Sequence, residues 1–155
     1  MGLYFLVKTA HILSATILFG TGMGIAFFFL TGVRSGDAKM AWFAARTTAV
    51  ADMVFTLTAG IVQPLTGLWL VAITGSDPFA PWLLATYALY LAALACWLPV
   101  VRLQLKMRNM LAGRVRGEPF DEALFARRFR WWFALGWPAF GALVLVFWLM
   151  VARPG

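Results

Sequence analysis

Charge is scarce in this chain: Asp, Glu, Lys and Arg together make up 12% of its 155 residues, against roughly 25% in a soluble globular domain. Cysteine and histidine are scarcer still, with Cys96 and His11 the single example of each. One cysteine excludes an intrachain disulfide and a cysteine-rich metal site. The acids, Asp37, Asp52, Asp77, Glu118, Asp121 and Glu122, are scattered, and with one histidine they make a poor metal site from side chains alone. The glycines of FGTGMG lack the GxGxxG spacing and follow no strand, which argues against dinucleotide binding. A Ser-His-Asp arrangement fares no better: Ser14 lies near His11 in sequence, but Asp52, the nearest acid within a span, is expected toward the opposite membrane face.

What the chain has in abundance is apolar surface. Hydrophobic residues make up 63% and aromatic residues 16%, and mean hydropathy is +0.83, so lipid solvates this chain better than water does. Runs without a formal charge extend for 25 residues between Lys8 and Arg34, 24 between Asp52 and Asp77, 24 between Asp77 and Arg102, and 22 between Arg130 and Arg153. Each exceeds the roughly 20 residues that carry a helix across the hydrocarbon core. No alternating apolar and polar period of a membrane barrel strand is present, so the backbone must satisfy itself as helix. The expectation is an all-α, integral membrane four-helix bundle forming a single domain over residues 1–155, with helices near 3–32, 49–74, 82–104 and 131–152. Gly and Pro clusters at 32–36, 74–78 and 113–119 separate them. The opening MGLYFLVKTAH lacks the pattern of a cleaved signal, and the first span is expected to remain.

The net charge of +7 is read first as a topology signal, with no nucleic-acid partner implied. Arg34, Lys39 and Arg46 follow the first span, and eight more basic residues lie between Arg102 and Arg130, so eleven of the thirteen share one side. The positive-inside bias places that side in the cytoplasm and both termini on the non-cytoplasmic side. The expected location is a bacterial inner membrane, multi-pass, with anionic lipid headgroups as partners of a cytoplasmic basic hairpin over about 105–130. Trp82, Trp131 and Trp132 fall at the expected interfaces.

Ionisable and polar groups within a span mark candidate sites. His11 lies about two turns into the first span, where an imidazole can ligate a metal or haem iron, move a proton, or hydrogen-bond a neighbouring helix. Lys8, one turn earlier, is expected to snorkel to the interface or to contact an acidic group of a ligand. Gly22 shares a face with His11, so a flat ligand can lie along both, while Gly20 and Gly24 form a GxxxG pair suited to close helix approach. The second span carries Asp52, Thr56, Gly60, Gln63 and Gly67 as a polar, small-residue seam. Gln63 and Thr66 match the depth of His11, and a His11–Gln63 contact is expected. Pro64 removes a backbone donor and frees a carbonyl for a polar partner. Asp52 is expected to pair with a basic loop residue. Tyr87 and Tyr90 of the third span reach a similar depth to His11 and need hydrogen-bond partners if buried.

The segments LYFLVKTAHILSATILFGTGMGIAFFF, ADMVFTLTAGIVQPLTGLWLV and RRFRWWFALGWPAFGALVLVFWLMVARP resemble a bacterial family of four-helix integral membrane proteins of unknown function. More distantly, Tyr4, Lys8 and His11, then Pro64 with Gly67 to Leu70, then Arg128 to Phe133 and Pro154, are similar to HemJ-type protoporphyrinogen oxidases. That resemblance implies a membrane oxidoreductase with haem b and His11 as axial ligand; joined to the depth and face reading above, it gives a candidate cofactor-binding set of His11, Gln63, Lys8, Gly22 and Tyr87. The third span lacks the lysine of that family, and the chain lacks its further histidines. A second axial ligand within one chain would then be Met, Lys or Tyr; a five-coordinate iron or a site shared between protomers is the other arrangement. The competing expectations are a non-enzymatic accessory or assembly subunit, working as a homo-oligomer or with a membrane partner protein, and a small transporter.

Overall fold

The computed structural model of the chain describes residues 2–154, all helix and turn with no strand among the described residues. Helix α1 spans Gly2–Arg34, α2 Ala38–Ala51, α3 Leu57–Thr74, α4 Pro81–Val115 and α5 Glu122–Ala152. One π-helical turn, Asp52–Thr56, joins α2 to α3 without a break. The chain therefore has four helices long and apolar enough to cross a membrane, the second running from Ala38 to Thr74. It is an all-α integral membrane bundle.

The second helix starts eleven residues before its expected position at residue 49. The Asp37 carboxylate accepts from the backbone N–H of Lys39 at 2.7 Å and of Met40 at 3.2 Å, an N-cap that starts the helix at Ala38. Beyond it comes an alanine-rich run with strong intrinsic helix propensity. Lys39 and Arg46, seven residues apart, lie exposed on one face, whereas Ala41, Ala44, Ala45, Thr48 and Ala49 are buried on the other. Scoring length by charge-free runs excludes such an amphipathic segment. The other ends follow ordinary chemistry. Gly75 closes α3 in the left-handed region at φ 64°, Pro81 opens α4, and Asp121 caps α5 by accepting from Leu124 N–H at 2.8 Å. The basic hairpin is two helix extensions around a short turn at 116–121.

The bundle is closed at its basic end and spread elsewhere. Phe29, Ala41, Ala44, Ala45, Met107, Leu111, Phe125 and Trp132 form one buried cluster there, with Phe29 edge-on to Phe129 and to Trp132. Trp132, expected at the interface, is 4% exposed because its position falls on the same helical face as Phe125 and Phe129. Trp131 beside it does face outward. Close helix approach occurs at Gly32, where a Cβ would overlap that of Ala44. The GxxxG pair Gly20 and Gly24, by contrast, meets nothing within 4 Å and lies on an exposed face of α1. Toward the other end α3 packs on α1 and α4 packs on α5, and the two pairs diverge.

Candidate functional site

Polar groups in the membrane region fall into two clusters, one between α1 and α3 and one between α3 and α4. In the first, the His11 imidazole lies against Gly67, where a Cβ would come within 3.1 Å of His11 Cε1; glycine leaves room for the ring. His11 Nδ1 is 2.9 Å from Thr66 Oγ1, and Thr66 donates its single proton to the Val62 carbonyl at 2.7 Å. Thr66 must then accept from the ring, which assigns the proton to Nδ1. The Nε2 lone pair accepts from Gln63 Nε2 at 3.2 Å, and Gln63 Oε1 accepts from the Ser14 hydroxyl. The expected His11–Gln63 contact is present, and Thr66 holds the ring's other side. Two side chains from α1 and two from α3 are thereby satisfied in a region where lipid offers no partners.

The second cluster is built on the α2–α3 junction. Asp52 is 1% exposed. Its Oδ1 accepts from Trp97 Nε1 at 3.2 Å and its Oδ2 from Gln104 Nε2 at 3.5 Å, while Gln104 Oε1 accepts from Trp132 Nε1 at 3.2 Å. Asp52 is thus not paired with a basic loop residue, because α4 carries Trp97 and Gln104 two turns apart on the face turned to it and the arginines point outward. Sequence reasoning missed this network. Its signal was the seven-residue spacing of Trp97 and Gln104, obscured because Arg102 marks the span's apparent end. Two turns beyond Asp52, Tyr90 donates to the Gly60 carbonyl. Pro64 has no N–H to give that carbonyl, four residues earlier, its helical partner. The kink-freed carbonyl and the tyrosine hydroxyl satisfy each other across two helices. Tyr90→Phe is expected to lower unfolding stability by about 1–2 kcal/mol, the cost of a buried carbonyl left unpaired. Thermal unfolding in one detergent, compared with a Tyr4→Phe control whose hydroxyl meets only the exposed Lys8 amine, checks it.

Between the diverging helix pairs lies a crevice of about 740 Å³. Gly22, Gly60 and Gly136 flatten its walls; Phe19, Trp97, Trp132, Phe133, Trp137 and Phe140 line it; Asp52 and Thr56 belong to its surface. Its rim carries the exposed apolar side chains of Met23, Ile61, Leu65, Leu94 and Trp137, which in a bilayer face acyl chains.

The residues expected at a cofactor site divide between these places. His11 and Gln63 meet between α1 and α3 and are absent from the crevice lining, whereas Gly22 is on the crevice wall. Lys8 is exposed and donates to Tyr4 Oη at 3.2 Å, away from His11. The Tyr87 hydroxyl is buried with no hydrogen-bond partner among the described residues, and it lies outside the crevice lining. An axial haem ligand must offer iron a ring-nitrogen lone pair. In His11 that lone pair is taken by Gln63, so the site as packed does not fit a haem iron unless Gln63 swings out.

Comparison with curated proteins and with solved structures gave no match. A family model does match, over residues 5–154, nearly the full chain. A multi-pass chain of four apolar helices, matched over nearly its whole length, thus belongs to the family described as "Predicted integral membrane protein (DUF2269)".

Proposed function

We propose that this protein holds a flat, apolar molecule taken up sideways from a bacterial inner membrane, in the crevice between its two helix pairs. The observation that carries this reading is the crevice itself. Its volume of about 740 Å³ falls within the roughly 300–1,000 Å³ of small-molecule sites, and its glycine-flattened, aromatic walls suit a planar ring system. The basic end is taken to face the cytoplasm, where Arg127 and Arg130, both exposed, reach anionic lipid headgroups. Redox chemistry enters this reading through the bound molecule. The HemJ resemblance suggests haem b or another porphyrin, but the lining holds no histidine to ligate iron and its charged group is the acid Asp52, so a planar occupant without porphyrin carboxylates fits the crevice better. The His11 cluster then acts as a clamp that holds α3 on α1 and so shapes one wall.

The test is a titration in nanodiscs with 1-pyrenemethanol, a planar neutral probe that accepts energy from tryptophan. Trp97, Trp132 and Trp137 line the crevice, so saturable energy transfer is expected. Gly22→Phe, which puts a ring into open space, is expected to abolish saturation while leaving the unfolding temperature unchanged. Linear, non-saturating transfer in both proteins would overturn the reading. An absorbance spectrum of protein purified from haem-sufficient cells, oxidised and then dithionite-reduced, separates a haem occupant, with a Soret band that shifts on reduction, from a non-haem one.

A further inference from the structure

The crevice is not uniformly apolar, and its polar atoms are gathered at one place. Asp52 and Thr56, which bound the π-helical turn, are both buried, at 1% and 8% exposure, and both contribute to the crevice surface. The Thr56 hydroxyl has the Asp52 carboxylate as its near neighbour, and no group among the described residues donates to it, although buried hydroxyls nearly always have partners. Asp52 receives two neutral donors, an indole and a carboxamide. The ion pairs among the described residues are Arg114–Glu122 and Arg116–Glu118 on the distant basic turn, so among the described residues no cation pairs with Asp52. A buried carboxylate without a cation is expensive. A π-helical turn also widens the backbone locally and recurs at functional sites.

Resting on the crevice reading above, we propose that Asp52 and Thr56 form a head-group anchor that selects ligands carrying a protonated amine. The apolar body lies along Gly22, Gly60 and Gly136. The ammonium gives the carboxylate its missing countercharge through a charge-assisted hydrogen bond and donates a second N–H to the Thr56 hydroxyl, to which no described residue donates. Trp97 and Gln104, which also line the crevice, hold the carboxylate in place, and Trp132 fixes Gln104 in turn. A ligand of the same body ending in a carboxylate is rejected, because it brings like charge to a buried acid.

The experiment compares three probes that share one ring system, 1-pyrenemethylamine, 1-pyrenemethanol and 1-pyreneacetic acid, titrated into the full chain in neutral-lipid nanodiscs by tryptophan energy transfer. The amine is expected to bind about tenfold more tightly than the alcohol, since hydrogen bonds between charged groups are roughly twice as strong as neutral ones. The acid is expected to bind more weakly than both. Asp52→Asn keeps an acceptor for Trp97 and is expected to bring the amine and alcohol to equal affinity. Thr56→Val is expected to reduce the affinity for the amine about threefold, about the loss of one modest hydrogen bond. Equal, saturable binding of amine and alcohol to the unaltered protein would overturn the anchor and leave the crevice standing; no saturable binding of any probe would overturn the crevice with it. An amine preference that survives in Asp52→Asn would show that the selectivity comes from elsewhere and would also overturn the assignment.

Discussion

Gly32→Val is expected to destabilise the bundle by about 3 kcal/mol, the upper end of overpacking costs. Gly32 stands where α1 crosses α2, and an added Cβ would overlap that of Ala44 and come within 3.4 Å of the Met40 carbonyl oxygen. Neither neighbour is the free end of a flexible side chain, so the two helices must separate. Separation loosens Phe29 and the alanines Ala41, Ala44 and Ala45, which belong to the single buried cluster of the basic end. The matched control is Gly24→Val, eight residues earlier on α1, where a Cβ meets nothing within 4 Å. Unfolding midpoints in one detergent should fall steeply for Gly32→Val and stay within error for Gly24→Val. Equal midpoints for the two variants would refute the close crossing.

Gln63→Leu is expected to cost about 1–2 kcal/mol, chiefly for His11 Nε2 left unpaired, since the Ser14 hydroxyl keeps the His11 carbonyl as an acceptor at 3.0 Å. The figure sits at the low end because hydrogen bonds between membrane helices measure weaker than their burial suggests. The loss should be non-additive: once His11→Phe has removed the ring nitrogens, Gln63→Leu should cost markedly less than it does alone. Midpoints of the two single variants and the double variant close the cycle, and a coupling near zero would mean that the imidazole and the carboxamide do not share a bond. The ring tautomer gives an independent reading, since histidine nitrogen shifts distinguish a proton on Nδ1 from one on Nε2.

The four spans were legible in the sequence because lipid imposes a length and a polarity that composition records directly. The His11–Gln63 contact was legible for a related reason. Counting rise from the helix ends matches depths, and a polar side chain in a span must find another at its own depth. Helix α2 was not legible by charge-free length, because Lys39 and Arg46 interrupt the run while occupying one exposed stripe. Trp132 and Asp52 misled for a common physical cause. Each was assigned a neighbour by its distance from the membrane edge, whereas rotation about the helix axis decides which way a side chain faces. For the span that carries Asp52, that rotation depends on the π-helical turn, which no residue pattern in DMVFT announces. The crevice was illegible for the same reason, since it arises from the divergence of helix pairs.

Counted along the chain, that turn is a one-residue insertion in an otherwise regular span. Each residue turns an α-helix by about 100°, and a π turn absorbs an extra residue without breaking the rod. The alanine stripe of α2 and the Gln63–Thr66 face of α3 are thereby set in different phases of one continuous helix. Were the span regular, the face that seats His11 would be rotated about a quarter turn away from α1, with hydropathy and length almost unchanged. Related chains that differ here by a single deletion would look the same on a hydropathy plot while presenting a different set of side chains to the first helix. Alignments of such chains therefore need the gap placed within Asp52–Thr56 and not in a loop.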